Sequence, residues 1–269
     1  MIKFTKFRNI KVRYSDRGKG NVIVLLHGFL ESLEVWDEFS KKLSKHFRVI
    51  SIDLPGHGKT SCIGYIHTME LMAQCVKAVM DSLMLRRYVV VGHSMGGYVT
   101  LSFAELFPQN VSGFCLFHST ALADSPERKK DRDRSIELVK KFPQQYGNEL
   151  VPKLFAPENL SLLKSEIEKT KSIAGNTGKQ GIISALLGMK ERTNKEMILK
   201  NAECPVLFIV GEKDTFLAWE TLLLQSELPK YGETITIEHV RHMGFYEAPH
   251  QTLKAVKRFA RKSFRKNFG

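Results

Sequence analysis

Apolar runs of strand length alternate along the chain with segments of helical period. Residues 22–26 are the clearest run, since they are β-branched and do not alternate with polar residues, which is typical of a strand buried on both faces. An alternating segment at residues 11–14 predicts an early antiparallel strand. Further strands are predicted at residues 48–54, 88–91, 111–117, 206–210 and 234–240.

Helices are predicted between most of these strands. Residues 35–46 carry large apolar side chains at spacings of three and four, Thr68 is placed to cap a helix over residues 69–84, and a helix over 94–107 ends before Pro108. A last helix begins near Pro249 or Thr252. This alternation predicts an α/β fold with a mostly parallel sheet covered on both faces.

The alternation stops between residues 121 and 200. This stretch is polar and helical in pattern and contains no convincing strand. We interpret it as a helical lid inserted into an α/β core made of residues 1–120 and 201–269. Its polarity predicts that it packs on the core through few apolar faces and moves over the site.

Composition excludes several classes of protein. The chain has 269 residues, of which 43% are hydrophobic and 26% charged, so it can bury a large core without a disulfide or a structural metal. No apolar run approaches the roughly 20 residues of a membrane-spanning helix, and the first residues do not resemble a secretory signal. No stable membrane insertion is therefore expected. The four cysteines form no C-x-x-C pair, which favours reduced thiols in a cytoplasmic protein.

The net charge of +13 raises the question of an acidic partner. Much of it lies at the end of the chain, in Lys254, Lys257, Arg258, Arg261, Lys262, Arg265 and Lys266, with no acid among residues 251–269. A solvated basic helix explains this pattern, and contact with an acidic partner or an anionic surface is the alternative. No zinc spacing and no aromatic-basic RNA motif is present, so no nucleic-acid binding is expected.

One motif has a chemical meaning because of where it lies. The sequence Gly92-His93-Ser94-Met95-Gly96-Gly97 falls between a predicted buried strand and a predicted helix. A G-x-S-x-G turn at this junction holds a serine at its strained apex, and side chains at positions 92 and 96 would collide with neighbouring backbone. Ser94 is therefore the candidate nucleophile.

A serine nucleophile needs a base and an orienting carboxylate. His242 directly follows the predicted strand at 234–240, and Asp214 follows the strand at 206–210. Ligands bind beyond the carboxyl ends of parallel strands, so these residues and Ser94 are expected to meet there. Glu212 and Glu238 are rival acids. Glu212 comes two residues before Asp214, too early after the strand, and Glu238 lies within the predicted strand at 234–240.

The oxyanion formed during acyl transfer needs backbone donors. The N–H of Met95 is one candidate, and the N–H of Phe29, in the loop after the strand at 22–26, is the other. Apolar residues near strand ends and in the lid suggest a mostly apolar acyl site; they are Phe29, Leu30, Trp36, Met95, Met189, Phe216, Trp219 and Phe245. His93 is interpreted as structural, and His118 is a further candidate for the pocket wall.

The ordered blocks resemble those of the α/β-hydrolase superfamily over nearly the whole chain. They are His27-Gly28-Phe29, Asp53-Leu54-Pro55-Gly56-His57-Gly58, the Ser94 motif, Gly211-Glu212-Lys213-Asp214 and His242-Met243. The chain is most similar to the small bacterial esterase, enol-lactonase and carbon–carbon-bond hydrolase group, which has a helical lid where this chain has residues 121–200. The resemblance implies a Ser94–His242–Asp214 triad.

The sequence therefore predicts a serine hydrolase that acts on a small carboxylic ester, thioester or lactone. No cofactor is expected, and no metal, since none of the nine histidines has a metal-ligand spacing. Carbon–carbon cleavage or a lyase step on an anionic dicarbonyl is the alternative enzyme reaction and needs a basic residue in the pocket. A non-catalytic binding protein with the same fold is the alternative from another class. The oligomeric state is left open.

Overall fold

The computed structural model describes residues 1–265 and contains one eight-stranded sheet. The strands are β1 Ile2–Phe7, β2 Ile10–Arg17, β3 Val22–Leu26, β4 Arg48–Ile52, β5 Tyr88–His93, β6 Val111–Phe117, β7 Val206–Gly211 and β8 Gly232–Ile237. Their order across the sheet is β1-β2-β4-β3-β5-β6-β7-β8. The first two strands pair antiparallel, as do β2 and β4, and all later neighbours pair parallel.

The central strands explain why apolar runs mark them in the sequence. Every residue of β3, β5, β6 and β7 is buried, because helices cover both faces of the sheet. The predicted strands at residues 22–26 and 111–117 coincide with β3 and β6. The edge strand β1 was not predicted, and β8 begins and ends earlier than the predicted range of 234–240.

The helices are α1 Asp37–Leu43, α2 Met69–Ser82, α3 Met95–Leu106, α4 Pro126–Lys141, α5 Pro143–Leu150, α6 Lys164–Gly175, α7 Lys179–Glu191, α8 Glu196–Lys200, α9 Trp219–Ser226, α10 Gly244–Glu247 and α11 Pro249–Ser263. A 3-10 turn, Leu33–Trp36, precedes α1, so the helix predicted over residues 35–46 is shorter than expected. Thr68 caps α2 as predicted, since its hydroxyl accepts a hydrogen bond from the amide of Leu71 at 3.1 Å. Helix α9 was not predicted.

Helices on the two faces of the sheet form separate pairs. Helix α2 packs on α3, and α1 packs on α11. Successive side chains of β6 point to opposite faces of the sheet and so reach different helix pairs. On one face, the Phe117 ring contacts Phe39 of α1. On the other face, Phe114 and Ala104 of α3 line the same surface cleft. The sheet is thereby buried from both sides, and its carboxyl edge is left to the loops.

Residues 121–200 form the five helices α4–α8 and no strand. The expectation that this helical segment packs through few apolar faces is wrong, because many of its apolar side chains are buried, among them Val139, Val151, Phe155, Ile182, Leu186 and Met189. The segment is also tied to loops of the core by main-chain hydrogen bonds. The amide of His67 donates to the Ser184 carbonyl at 3.0 Å, and that of His242 donates to the Leu154 carbonyl at 3.0 Å.

The basic end of the chain is an amphipathic helix. Helix α11 buries Thr252, Ala255, Val256, Phe259, Ala260 and Ser263, and its cations lie on the opposite, exposed side. Lys266 lies outside the described residues. The four cysteines are unpaired, and within residues 1–265 no helix combines the length and apolarity required to cross a membrane.

Candidate active site

Ser94 lies at a strained turn between β5 and α3. Its φ is 50° and its ψ is −116°, a backbone conformation that residues with a side chain rarely adopt. The turn closes only because of two glycines. A Cβ on Gly92 would lie 2.2 Å from the Gly96 carbonyl oxygen, and a Cβ on Gly96 would lie 2.5 Å from the Leu26 carbonyl oxygen. A side chain at either position would therefore collide with the backbone, as predicted from the sequence.

His242 and Asp214 meet at the carboxyl edge of the sheet, after β8 and β7. The His242 Nδ1 lies 2.7 Å from Asp214 Oδ2 and donates its proton there. The other carboxylate oxygen accepts hydrogen bonds from the amides of Phe216 at 2.8 Å and Leu217 at 3.2 Å. Burial alone would raise the pKa of Asp214, but the charge and hydrogen bond of His242 hold it below its ordinary value. The carboxylate thus stays ionised.

Neither rival acid occupies this position. The side chains of Glu212 and Glu238 are exposed, and β8 ends before Glu238. The contact with His242 belongs to Asp214. In the neutral imidazole, the Nδ1–H bond to that carboxylate makes Nε2 the nitrogen without a proton, and this nitrogen can act as a base toward the cavity that His242 lines.

The loop after β3 carries the first candidate oxyanion donor, Phe29. The His27 ring holds this loop to the chain after β4: Nδ1 donates to the Gly28 carbonyl at 2.8 Å, and Nε2 accepts from the Leu54 amide at 2.9 Å. Met95, the second candidate, is the first residue of α3. Amides in the first turn of a helix have no acceptor within the helix, so the Met95 N–H is available to an anion.

A buried ion pair, Glu31–His93, contacts the loop after β3 and the loop that carries His242. This pair was not predicted from the sequence. Glu31 is 2% exposed and accepts a hydrogen bond from the Gly28 amide at 2.7 Å. The same carboxylate lies 3.1 Å from His93 Nδ1, and His93 Nε2 donates to the His242 carbonyl at 2.8 Å. The pair therefore joins the loop after β3 to the loop that carries His242.

Opposite charges stabilise this pair in the protein interior. Burial lowers the pKa of His93, but the Glu31 carboxylate beside it raises the pKa above its ordinary value. Burial likewise raises the pKa of Glu31, and the charge of His93 brings it below its ordinary value. The interpretation of His93 as a structural residue agrees with these contacts, since its ring is fully buried and is not part of the cavity lining.

The structure does not support His118 as part of the pocket wall. Its ring is fully buried behind His242, with Nδ1 at 3.8 Å from Asp214 Oδ2, and neither ring nitrogen has a hydrogen-bond partner within residues 1–265. Burial lowers the pKa of His118 well below its ordinary value, so the ring is neutral. It adds no charge to the site.

Ser94 and His242 line one cavity of about 230 Å3. Four apolar residues expected in the acyl site also line it, namely Phe29, Leu30, Met189 and Phe216, whereas Trp36, Met95, Trp219 and Phe245 do not. The helical segment provides much of the rest, including Arg128, Asp131, Arg132, Ser135, Tyr146, Leu150, Val151, Leu154 and Thr170. The cavity is mostly apolar with a few charged groups.

The two arginines of α4 were not identified as pocket residues from the sequence. Arg128 and Arg132 are four residues apart, which places them on one face of a helix, but the sequence does not tell which face meets the cavity.

Among residues 1–265 no cluster of three or more His, Cys, Asp or Glu side chains is arranged to hold a metal ion. The arrangement supplies a hydroxyl, a base with its carboxylate, and cations.

Known proteins resemble the chain along most of its length. The structure of a thermophilic esterase from Thermogutta terrifontis superposes with a TM-score of 0.91 at 29% identity and covers 98% of both chains. The pimeloyl-[acyl-carrier protein] methyl ester esterase of Nitrosomonas europaea is 27% identical over 89% of this chain and 96% of its own. The (E)-2-((N-methylformamido)methylene)succinate hydrolase of Acinetobacter baylyi is 24% identical over 93% and 94%, respectively.

The family-level comparison agrees with the topology. A model of the α/β hydrolase fold matches residues 21–249, a range that begins just before β3 and extends to the start of α11. Strands β3 to β8, the Ser94 turn and the loops after β7 and β8 all lie within that range. The chain belongs to the α/β-hydrolase fold family.

Proposed function

We propose that the protein is a serine hydrolase that cleaves a small carboxylic ester, thioester or lactone through an acyl-enzyme on Ser94. One observation carries the proposal: His242 donates to Asp214 at 2.7 Å and lines the same cavity as Ser94, which sits in a left-handed backbone conformation. Two of the similar proteins described above are esterases, which agrees with this reaction.

The residues divide the reaction between them. The Ser94 Oγ attacks the carbonyl carbon, and His242 Nε2 takes the hydroxyl proton. The amides of Phe29 and Met95 donate to the oxyanion of the tetrahedral intermediate. His242 then returns the proton to the leaving group, and Asp214 stabilises the imidazolium between these steps. Water activated by His242 releases the acid and restores Ser94.

The buried pair Glu31–His93 has a positioning role in this proposal. Glu31 holds the Gly28 amide, one residue before Phe29, and His93 holds the carbonyl of His242. Because one ion pair fixes both loops, the oxyanion donor and the base keep a constant separation. Preorganised donors of this kind contribute more than donors that must reorient during the reaction.

We propose that the helical segment 121–200 selects the substrate. It lines the cavity on the side away from the sheet, with Tyr146 and Leu150 of α5 and Met189 of α7. It also holds the base, since the Leu154 carbonyl accepts a hydrogen bond from the His242 amide. The segment is thus a packed part of the site, and its removal would disturb His242 as well as the pocket.

The test is a panel of ethyl esters, thioesters and lactones of graded acyl length, with product acid measured at steady state. Wild type should hydrolyse the short members, and Ser94→Ala should lose turnover by several powers of ten. The matched control is Ser172→Ala, at an exposed position of α6, which should keep wild-type rates. Equal rates in Ser94→Ala and wild type would overturn the proposal.

Carbon–carbon cleavage of an anionic dicarbonyl is the second candidate, and one observation favours it: Arg128 and Arg132 line the cavity. An acidic β-diketone in the same panel separates the two reactions. Turnover of the diketone without turnover of any ester would favour the second candidate. Binding without turnover of any compound, unchanged in Ser94→Ala, would indicate a non-catalytic binding protein.

A further inference from the structure

The charged side chains around the cavity are unevenly matched. On the sheet side, Glu31 pairs with His93, and Asp214 pairs with His242. On the side of the helical segment, the cavity is lined by two guanidinium groups, Arg128 and Arg132, and by the exposed residue Asp131, which pairs with Arg134 on the outside. A cation that faces a small cavity and lacks a partner is a binding group for an anion.

Arg132 is held in place by a shared carboxylate. Its Nε donates to Asp124 Oδ2 at 2.8 Å, and Arg192 Nη1 lies 2.7 Å from the other oxygen of Asp124. Burial raises the pKa of Asp124, but the hydrogen bond and charge of Arg132 and the charge of Arg192 bring it below its ordinary value. One negative charge therefore serves two arginines, and the group of three keeps a net positive charge.

Arg128 has even less compensation. Within residues 1–265 it pairs with no carboxylate: its Nη2 donates to the Phe216 carbonyl at 3.3 Å, and its guanidinium carbon lies 6.0 Å from the centre of the Phe216 ring. These contacts orient the planar group and leave most of its N–H donors free. Phe216 is close to the triad, because its amide donates to Asp214 and its ring lies 5.4 Å from that of His242.

The remaining lining restricts the size and polarity of the ligand. Leu150, Val151, Leu154 and Met189 are apolar, and the volume of about 230 Å3 is smaller than the usual range for larger ligands. Ser94 and the two arginines line this same small cavity, so a ligand that spans them has a short apolar chain. A guanidinium binds a planar carboxylate through two parallel hydrogen bonds, and this attraction is stronger where little water is present.

We propose that the substrate carries a free carboxylate a few bonds from the scissile carbonyl, and that Arg128, assisted by Arg132, binds this carboxylate. The inference rests on the proposed function, because it adds an anionic end group to the ester, thioester or lactone that Ser94 attacks. Half-esters of short dicarboxylic acids are the simplest members of this class. Arg128 is then a specificity-determining residue and takes no part in bond cleavage.

Two esters of equal carbon chain test the inference. Monoethyl succinate carries a carboxylate where ethyl butyrate carries a methyl group, and ethanol release gives kcat/KM for both. Wild type should prefer monoethyl succinate. Because a hydrogen-bonded charge pair contributes about 10- to 100-fold, Arg128→Gln should lower kcat/KM for monoethyl succinate by that factor, mainly through KM. The rate with ethyl butyrate should change little.

Lys130→Gln is the matched control, since Lys130 lies on the same helix, carries the same charge and is exposed. It should leave both substrates unchanged, and Arg128→Lys should retain part of the preference. Three results would overturn the inference while the proposed function stands. Arg128→Gln could lower kcat/KM equally for both esters, Lys130→Gln could lower kcat/KM for monoethyl succinate as much as Arg128→Gln does, or wild type could prefer ethyl butyrate.

A binding measurement separates the inference from the proposed function. Succinate should bind wild type by titration calorimetry, and Arg128→Gln should weaken this binding by about 10-fold or more. Succinate binding that depends on Arg128, without hydrolysis of any ester, would contradict the proposed function and support the anion site. Ester hydrolysis without Arg128-dependent succinate binding would contradict the anion site alone.

Discussion

The loops at the carboxyl edge of the sheet and the helical segment 121–200 line the same cavity, but they treat charge differently. In the loops, the two buried carboxylates nearest the cavity have histidine partners in the chain, in the pairs Asp214–His242 and Glu31–His93. In the helical segment, Arg128 has no carboxylate partner within residues 1–265. Groups that are already paired are fixed before substrate binds, whereas an unpaired cation is available to the substrate.

In the proposed mechanism this difference separates catalysis from substrate choice. The sheet loops hold Ser94, His242 and the proposed oxyanion donors through bonds that no substrate needs to make. The helical segment can exchange side chains along α4 without changing those bonds. The division is incomplete, however, because the Leu154 carbonyl holds the His242 amide.

The largest effect is expected from Asp214, the acid of the proposed triad. Asp214→Asn keeps the shape of the side chain but favours the wrong tautomer of His242, so kcat should fall by about 10^4-fold. Steady-state kinetics with a short ethyl ester measures this loss. Glu212→Gln is the control and should be nearly silent, because Glu212 is exposed. The opposite result, a silent Asp214→Asn and an inactive Glu212→Gln, would move the acid to Glu212.

The next effect tests whether the helical segment is part of the folded core. Phe155 is fully buried, and its ring stacks at 6.3 Å and 11° on Tyr246 of α10. Phe155→Ala should lower the free energy of unfolding by about 3–5 kcal/mol, measured by urea denaturation. Phe142→Ala, at a position 55% exposed, should change it by no more than about 0.5 kcal/mol. A segment that melts separately, with a near-silent Phe155→Ala, would indicate a loosely attached lid.

The smallest effect concerns the ion pair under the loops. His93 has a raised pKa in the folded protein, so the folded state binds its proton more tightly than the unfolded state does. Above the ordinary pKa of 6.5, the folded state keeps this proton where the unfolded state has lost it. Stability therefore falls as pH rises through the folded-state pKa of His93, with a slope of at most about 1.4 kcal/mol per pH unit.

Glu31→Gln removes the charge that raises this pKa, and burial then lowers it. The difference in unfolding free energy between wild type and Glu31→Gln should thus be largest at mildly acidic pH and shrink above neutrality. Urea denaturation at pH 6 to 9 measures it. Since all other groups are common to both proteins, their titrations largely cancel. A difference that stays constant or grows with pH would show that His93 is neutral in the folded protein over this range.

Much of the fold follows from local pattern. Strands β3 and β6 were predicted residue for residue because burial on both faces selects mostly apolar residues along the whole strand. Strand β1 was missed because its exposure alternates at the edge of the sheet, so Lys and Thr interrupt the apolar residues. The residues of the proposed triad were recognisable because each follows a strand and the turn at Ser94 admits only glycine at positions 92 and 96.

The missed residues depend on contacts between distant segments. Glu31 meets His93 across 62 residues, and Arg128 meets Phe216 across 88. Local pattern specifies that Arg128 and Arg132 share a helix face, but the packing of α4 against α5 and α7 decides where that face points. The packing of the helical segment was misjudged for the same reason, since its buried apolar residues are spread over several helices.

Detection of the covalent intermediate tests the central claim most directly. Wild type mixed with a short p-nitrophenyl ester, quenched in acid within the first turnover and digested, should yield the peptide containing Ser94 with its mass raised by the acyl group. Ser94→Ala should yield no such adduct. Product release without an adduct on this peptide in wild type, or an adduct on another residue that persists in Ser94→Ala, would contradict the account.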